Sequence, residues 1–352
     1  MLVVLGCCFE PGFPAPSGAL LAFNVAEPPA GAGVVGVAEF REQPVFASIP
    51  GKTGHHAASV LAFDSGELLA AWYSYAGPGE LDGSGIYLAR RPAGEEVWQT
   101  PLAHREDSIG NGNPVLYHEG DEVWLFQAVV PFGWSTSHIE VQRSHDRGLT
   151  WTEPALIDGP LGTNVRNPPI RTVEGELLLP AYDDLIPRSL FFASQDGESW
   201  RLRSAVFTDG PHFNIQPSVV KLGDGRLLAC MRNAGGGWLW AMASDDHGRS
   251  WSLPIDTGFT NPGSAALLLR LTSGNLVLVF NDDPSVRRPL SISLSTDEGR
   301  SWSKPKPLVE GDGSYSYPAA IQAHDGIVHV LYTRDRQSIN HVSLNEAWIL
   351  EP

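Results

Sequence analysis

Two short phrases recur along this chain with the same period. The first closes on tryptophan and reads SHDRGLTW at 144–151, SQDGESW at 194–200, SDDHGRSW at 244–251 and STDEGRSW at 295–302. Its tryptophans follow one another at spacings of 49, 51 and 51 residues, and a degenerate copy ends at Trp98. The second phrase, a polar turn with glycine before an apolar run such as DSGELLAAW at 64–72, occurs six times. Two phrases on one period indicate a single structural unit that is repeated.

The repeated unit has the pattern of a small antiparallel sheet. Each copy holds several β-type apolar runs separated by Gly or Asp turns, without helical periodicity. Four strands in about 50 residues is typical of a propeller blade. The sequence therefore predicts an all-β fold, a six-bladed β-propeller over residues 33–352 after an N-terminal segment at 1–32, with a strand at 33–40 closing the ring. A pair of β-sandwiches is the alternative, but a sandwich has no reason to repeat at this interval.

The tryptophan phrase is interpreted as a turn device. Its Asp and Ser side chains can accept hydrogen bonds from backbone N–H groups of their own turn, and Gly supplies positive φ. The tryptophan is expected to pack beneath the turn, in an equivalent buried place in each copy. The acids that occupy this position are therefore expected to be structural rather than catalytic: Asp146, Asp196, Asp246 and Asp297. A calcium loop is the functional alternative, but the spacing lacks enough oxygen donors.

The charge and cysteine content narrow the class of partner. The formal net charge of −16 disfavours nucleic acid and anionic membrane surfaces, while a few clustered arginines would still attract a small anion. The three cysteines, Cys7, Cys8 and Cys230, form neither a disulfide framework nor a metal spacing, so no metal and no cofactor is expected. A cytoplasmic location is expected ahead of a secreted or lipoprotein one. The sequence does not predict an oligomeric state.

Candidate ligand-binding residues follow from the propeller itself. The start of the innermost strand and the end of the second strand of each blade surround a central funnel. Those positions are polar, aromatic and rich in arginine, and several arginines from separate blades would form an anion trap. A further arginine is Arg334 or Arg336. The residues expected to contact substrate are Trp134, Arg166, Asn167, Tyr182, Gln216, Arg232, Arg288 and Tyr317.

The chain after about residue 40 resembles the sialidase superfamily of BNR and Asp-box propellers. The segment QPSVVKLGDGRLLACMR at 216–232 is similar to a family segment whose arginine corresponds to Arg232. RRPLSISLSTDEGRSW at 287–302 is similar to the segment of the next family arginine, which maps to Arg288. SYSYPA resembles the family's Tyr-Ser motif, with Tyr315 at the nucleophile. The resemblance implies that arginines hold a sugar carboxylate and that a tyrosine, activated by a glutamate, attacks the anomeric carbon.

Two family positions are occupied by different residues here. Gln216 stands where the family has the glutamate, and an amide cannot take a proton from tyrosine. In FASIP at 46–50, serine stands at the position of the first family arginine. The base would then come from Asp183 or Asp282. The general acid, an aspartate in a first-blade loop in this family, would be Glu80 or Asp82.

A subset of BNR-repeat proteins resembles this chain more closely. It has a His-Ala motif before the first hairpin, matched by His56, an NPP in the third blade and YSYPA in the sixth. Members of that subset resemble an L-rhamnose–glucuronate lyase, in which arginine neutralises a uronate, and His56 or a tyrosine would remove the C5 proton. Three functions are therefore kept. They are a sialidase-like exo-glycosidase acting on a terminal acidic sugar of a glycan, a uronate lyase, and a glycan-binding propeller without activity.

Overall fold

The fold is a closed ring of six β-sheets, seen in a computed structural model that describes residues 23–25, 37–208 and 210–351. Five sheets have four strands, and the sheet of blade 3 has five because its inner strand is split. Every neighbouring pair within these blades is antiparallel, and the six inner strands contact one another around a central axis. The prediction of an all-β, six-bladed propeller is confirmed.

Blades 1 to 3 take up the first half of the ring. From the centre outward, the strands of blade 1 are Gly54–Ala62, Leu68–Tyr75, Gly85–Arg91 and Leu102–Arg105. Those of blade 2 are Gly110–Glu119, Glu122–Val130, His138–Ser144 and Ala155–Ile157. Those of blade 3 are Thr163–Val165 with Ile170–Arg171, then Leu177–Asp183, Arg188–Ser194 and Arg201–Val206. A short 3-10 helix, Trp134–Thr136, lies in the loop before the third strand of blade 2.

Blades 4 to 6 complete the ring. The strands of blade 4 are Asn214–Lys221, Leu227–Asn233, Gly237–Ser244 and Ile255–Asn261. Those of blade 5 are Leu267–Arg270, Leu276–Asn281, Leu290–Ser295 and Lys306–Val309. Those of blade 6 are Tyr315–Gln322, Val328–Arg334, Ser338–Leu344 and, from the N-terminal side of the chain, Phe40–Pro44. The helix Glu346–Leu350 follows blade 6.

The strand that closes the ring lies a few residues further along the chain than the sequence predicted. Phe40–Pro44 pairs antiparallel with Ser338–Leu344 and so supplies the outer strand of blade 6. The predicted closing strand at 33–40 therefore needs correction, because residues 37–39 are not in a strand and residues 33–36 lie outside the described part. Upstream, Asn24–Val25 pairs in parallel with Ser301–Trp302 at the end of blade 5. Cys7 and Cys8 also lie outside the described residues.

The repeated phrase forms the hydrogen-bonded turn that the sequence indicated. In the copy at 244–251, the carboxylate of Asp246 accepts bonds from the backbone N and the hydroxyl of Ser250, at 2.8 and 2.5 Å. The hydroxyl of Ser244 donates to Asp246 and accepts from the backbone N of Gly248. Hydrogen bonds from these donors lower the pKa of Asp246 below its usual value even though burial opposes them.

The tryptophans of the phrase are not equally buried. Trp251 and Trp302 are buried, and each is covered by a stacked ring, Phe191 at 4.4 Å and Phe23 at 5.5 Å between centroids. Trp151 and Trp200 are half-buried. Of these four tryptophans, Trp251 and Trp302 occupy the buried places that the sequence predicted, and Trp98 in the degenerate copy is buried as well.

The interior between the blades is apolar. The second and third strands of each blade are buried over most of their length, and leucine, valine and phenylalanine dominate their contacts. Cys230 is one of these buried residues and is a free thiol. Among the described residues, no helix is long and apolar enough to cross a membrane, and no group of three or more His, Cys, Asp or Glu side chains is placed to hold a metal ion.

Candidate active site

The funnel is lined at the point where the inner strands lose their regular register. In blades 1, 2, 4 and 6 the pairing of the inner strand shifts at a non-glycine residue with positive φ. These residues are Ala57 at 55°, Asn113 at 45°, Gln216 at 55° and Tyr317 at 56°. Left-handed backbone is unfavourable for residues with a side chain, and outside turns it clusters at functional sites. The shared distortion brings side chains of blades 4 and 6 together at the axis.

Tyr317 is the central residue of this site. Its phenolic oxygen accepts a hydrogen bond from Nη1 of Arg232 at 3.1 Å and another from Nε2 of Gln216 at 3.3 Å. Arg232 Nη1 also donates to Oε1 of Gln216 at 3.3 Å. The three side chains therefore form a closed triangle across blades 4 and 6. The ring of Tyr317 is half-buried, so the group can be reached from the funnel.

Two further guanidinium groups face the ring of Tyr317. The Cζ atoms of Arg166 and Arg287 lie 5.2 and 5.5 Å from the ring centroid. Burial acts to raise the pKa of the Tyr317 phenol, but the charges of Arg232 and Arg287 and the bond from Gln216 lower it below its usual value. The site thus stabilises negative charge on this oxygen.

Arg166 does not offer its guanidinium to a ligand, contrary to the prediction. The side chain crosses the axis from blade 3, and its Nη1 donates to the carbonyl of Ala58 at 3.0 Å. Its Nη2 donates to the carbonyls of Tyr317 and Pro318 at 2.6 and 3.0 Å. The residue is 2% exposed, and burial lowers its pKa to about 10. Arg166 is therefore a positioning residue that fixes the backbone on which Tyr317 is carried.

Asn167 and Tyr182 also act on Gln216. Nδ2 of Asn167 donates to the carbonyl of Pro217 at 3.0 Å, so this predicted substrate contact instead holds the inner strand of blade 4. The hydroxyl of Tyr182 accepts from Nε2 of Gln216 at 3.3 Å and from Nδ2 of Asn113 at 3.2 Å. Tyr182 is buried, which raises the pKa of its phenol. It forms the wall of the site behind Gln216.

A second cluster lies on the blade 1 side of the funnel. The carboxylate of Glu80 accepts a hydrogen bond from the hydroxyl of Tyr73 at 2.9 Å and forms an ion pair with Arg336. Arg336 comes from the turn after the second strand of blade 6 and has φ of 56°. Arg336 and Arg287 both contribute positive charge at His56, and Glu80 and Arg287 both act on Tyr317. The two clusters therefore belong to one electrostatic unit.

Asp82, the other predicted acid, does not join this cluster. Its carboxylate accepts from the backbone N of Gly79 at 2.9 Å and closes its own exposed loop. Trp134 lies in the 3-10 helix at the rim, with its ring centroid 6.1 Å from that of Tyr73. Of the loop residues predicted from the sequence, Glu80 and Trp134 thus lie near the funnel cluster, whereas Asp82 is committed to its turn.

His56 lies behind Tyr317 rather than beside a ligand. The two ring centroids are 4.2 Å apart, and Nδ1 of His56 is hydrogen-bonded to the hydroxyl of Thr333 at 2.9 Å. The residue is 2% exposed, and burial followed by the charges of four arginines holds its pKa well below the usual value. A neutral, covered imidazole supports the ring of Tyr317. The assignment of His56 as a base that meets substrate is therefore corrected.

Two predicted residues of the anion site are placed outside it. The hydroxyl of Tyr315 donates to the carbonyl of Glu310 at 3.0 Å, and its ring packs in the core between blades 5 and 6. Arg288 is exposed and donates to the carbonyl of Asp312 at 2.6 Å. The structure brings their neighbours Tyr317 and Arg287 into the funnel instead. The register shift between Ser316 and Ala319 separates the two tyrosines onto different sides of the strand.

Neither acid proposed to replace the missing glutamate reaches Tyr317. Asp183 is buried and bound to Arg188 and to the backbone N atoms of Leu185 and Ile186. Asp282 accepts from the hydroxyl of Thr260 at 2.6 Å. Asp184 is a carboxyl that the sequence reasoning did not single out. It has a pKa raised by burial, and the charge of Arg232 opposes this shift.

The sequence analysis also did not identify Arg287 and Tyr73, and it did not decide between Arg334 and Arg336. Arg287 stands directly before the arginine that was chosen, in RRP. A signal was available for Tyr317, because the inner strands repeat a polar residue followed by proline, as in Asn113-Pro114, Gln216-Pro217 and Tyr317-Pro318. Aligning these dipeptides places Tyr317, and not Tyr315, at the position equivalent to Gln216.

Comparison with known proteins agrees with this geometry at the level of the fold and family. A sialidase of Micromonospora viridifaciens is 29% identical over 169 residues, which are 45% of this chain and only 25% of that protein. A Hadza microbial sialidase superposes with a TM-score of 0.74 at 20% identity, covering 84% of this chain and 66% of that one. The intramolecular trans-sialidase from Ruminococcus gnavus, solved with oseltamivir carboxylate, gives 0.73 at 14% identity over 86% of this chain and 96% of that one. The family model described as "BNR repeat-like domain" matches residues 66–330, most of the chain, and the protein therefore belongs to that family, with a sialidase-like propeller fold.

Proposed function

We propose that the protein is a sialidase-like exo-glycosidase that removes a terminal acidic sugar from a glycan. The observation that carries this proposal is a tyrosine oxygen at the propeller axis, bonded by Arg232 at 3.1 Å and flanked by Arg287. A nucleophile next to guanidinium groups suits a substrate whose own carboxylate is attached at the reacting carbon. Arg232 and Arg287 can balance the negative charge of both the substrate carboxylate and the attacking tyrosine oxygen, so the two are not left to repel each other.

The carboxylate of the sugar is bound by arginines from three blades. Arg232 comes from blade 4, Arg287 from the loop before the third strand of blade 5, and Arg336 from blade 6. Guanidinium groups bind carboxylates through two parallel hydrogen bonds, which fixes both position and orientation. Arg336 takes the part of the arginine whose family position is occupied by Ser48 in this chain. When substrate binds, its carboxylate displaces Glu80 from Arg336.

That exchange gives Glu80 its role in the reaction. The oxygen of Tyr317 forms a bond to the anomeric carbon while the glycosidic C–O bond breaks. The proton of Tyr317 is lost to solvent. Glu80, released from Arg336 and bonded to Tyr73, takes up a proton from solvent and passes it to the departing oxygen as the bond breaks. Water subsequently cleaves the tyrosyl intermediate. Trp134, at the rim above Tyr73, offers an apolar wall to the sugar ring.

Elimination at a uronate is the second candidate, favoured by one observation. Gln216 removes the carboxylate that a sialidase-type mechanism uses beside its tyrosine, and leaves a site in which arginines surround a phenol. In a lyase the same tyrosine would take the C5 proton of a glucuronate whose carboxylate is held by Arg232 and Arg287. His56 does not fill this role, because it is buried behind Tyr317.

The experiment is a product screen with sialosides and uronate-capped glycans, read by mass spectrometry. Hydrolysis adds the mass of water across the broken bond, while elimination does not. Tyr317→Phe is expected to abolish turnover, and the matched control Tyr315→Phe to keep it, because the Tyr315 hydroxyl reaches only the carbonyl of Glu310. Unsaturated products would show that the protein is a uronate lyase and not a hydrolase. Tight binding of an acidic sugar without turnover would leave a binding propeller.

A further inference from the structure

We propose that Tyr317 is held as a phenolate in the resting protein, fixed by Arg232 and Gln216 and balanced by the charge of Arg166 and Arg287. This inference rests on the proposed function in that it names the reacting form of the same tyrosine. It also explains how the site works without the family's glutamate. Its test reads the ionisation of one side chain and needs no turnover.

The hydrogen bonds around the oxygen all run in one direction. A guanidinium has donors and no acceptor, so Arg232 donates to Tyr317 and also to Oε1 of Gln216. This contact fixes the amide of Gln216 with its Nε2 toward Tyr317, where it donates as well. The Tyr317 oxygen therefore accepts two bonds, and none of the described side chains accepts a proton from it. An oxygen placed between two donors is suited to the ionised form.

The charges around the ring favour an anion. Arg166 is 2% exposed and binds three backbone carbonyls and no carboxylate. A buried guanidinium without a counter-charge is costly. The Nε atoms of Arg166 and Arg232 are buried without a hydrogen-bond partner. On the other side, the charge of Arg336 is already matched by Glu80. A phenolate at Tyr317 supplies the missing negative charge.

The tyrosines and the histidine that lie near Tyr317 remain neutral. Burial raises the pKa of Tyr73 and of Tyr182 above the usual range, so these phenols keep their protons. Burial and the nearby arginines keep His56 uncharged. Glu80 acts against the phenolate and is paired with Arg336, and Asp184 lies near Arg232 on the other side. Tyr182 also accepts two hydrogen bonds, both from neutral amides. Among these three tyrosines of the described structure, Tyr317 is the one whose oxygen accepts a bond from a guanidinium.

The consequence for the chemistry is that no base is needed at the moment of attack. The proton of Tyr317 is lost to solvent before substrate binds, and the phenolate lone pair is available when the anomeric carbon arrives. Gln216 then acts as a hydrogen-bond donor that positions the oxygen. A glutamate at this position would oppose the phenolate by charge repulsion.

The test is a tyrosinate difference spectrum in the near ultraviolet, recorded at neutral pH for the folded protein. The expected result is one tyrosinate among the eight tyrosines of the chain. The signal should disappear in Tyr317→Phe and persist in Tyr182→Phe and Tyr315→Phe. Denaturing the wild-type protein at the same pH should also remove the signal, because a free phenol has a pKa of about 10. This arm holds even if a variant does not fold.

Removing charge should weaken the ionisation in steps. Arg232→Gln and Arg287→Gln are each expected to lower the ionisation constant of Tyr317 by roughly tenfold or more. The proposal is overturned if the folded wild-type protein has no tyrosinate at neutral pH, or if Tyr182→Phe rather than Tyr317→Phe removes it. A tyrosinate in a protein that turns over no acidic glycan would refute the proposed function and leave the phenolate standing. Turnover of an acidic glycan by a protein without a tyrosinate would refute the phenolate and leave the proposed function standing.

Discussion

The two adjacent arginines of blade 5 provide a direct test of the funnel. Arg287 is half-buried with its guanidinium over the ring of Tyr317, whereas Arg288 is exposed and bonded to the carbonyl of Asp312. Replacing each by alanine removes the same group from neighbouring backbone positions. Only Arg287→Ala should affect an acidic substrate. The pair is therefore its own matched control for expression, net charge and chain position.

The size of the effect follows from the burial of Arg287. Truncating one partner of a buried, hydrogen-bonded charge pair costs about 2–5 kcal/mol. The lower end applies here, because Arg287 is half-buried and Arg232 still binds the carboxylate. About 2 kcal/mol corresponds to roughly a 30-fold loss in kcat/KM. Arg288→Ala should stay within about twofold, since surface substitutions change free energies by about 0.5 kcal/mol or less. Arg287→Lys should recover little, because lysine lacks the planar fork.

The assay is the pH profile of kcat and KM on an acidic glycoside that the product screen has identified. Loss of carboxylate binding raises KM at every pH. Loss of the charge beside Tyr317 makes its phenolate harder to form, so kcat should fall at neutral pH and recover partly as the pH rises. Equal effects of the two alanine variants, or a larger effect at Arg288, would refute the assignment of Arg287 to the site. The sequence-based choice of Arg288 would then be restored.

Three other outcomes are expected. Gln216→Glu should lower both the tyrosinate signal and kcat at neutral pH; faster sialoside hydrolysis would show instead that Tyr317 needs a proton acceptor. Asp246→Ala should lower the free energy of unfolding by about 1–3 kcal/mol and leave kcat/KM of the folded fraction unchanged, with exposed Asp245→Ala as the neutral control. Burial lowers the pKa of both His55 and His329 to about 4. As the pH falls, these two histidines therefore take up protons at a higher pH in the unfolded chain than in the folded protein. Stability should be complete above pH 6.5 and should fall toward pH 4 by about 1.4 kcal/mol per pH unit for each histidine; equal unfolding free energies at pH 7 and pH 5 would contradict this.

The fold was predictable because its information is local and repeated. Each copy of the phrase at 244–251 specifies a turn through its own side chains, as the bonds of Asp246 to Ser250 illustrate. The period of the copies then determines the number of blades. The closing strand was misplaced because Phe40–Pro44 pairs with a segment about 300 residues later, and no local pattern encodes that register.

The funnel was predicted less well because its residues are selected by backbone distortion. Strict alternation puts Tyr315 and Tyr317 on the same face of a strand. The register shift after Ser316 separates them, so Tyr315 packs against Tyr332 at 6.0 Å while Tyr317 meets Arg232. Arg232 and Gln216 were both singled out because the segment at 216–232 resembles a family segment, and the structure places them in contact although Gln216 lies in the register shift of its strand. That resemblance could not identify Tyr317, which comes from another blade.

The charge of the funnel shows why family position is a weaker guide than electrostatic balance. The position of the first family arginine holds Ser48, which is exposed. Arg336, to which the proposed function gives that role, comes from a different blade, has a φ of 56° and is paired with Glu80. The site then has Arg166, Arg232 and Arg287 around one phenol, with an amide where the family has a carboxylate. A glutamate at position 216 alone would neutralise the positive charge that the proposed phenolate of Tyr317 needs. An arginine at position 48 alone would add positive charge to a site whose excess the proposed phenolate already balances. The substitutions at positions 48 and 216 are therefore best understood together, as two parts of one charge arrangement centred on Tyr317.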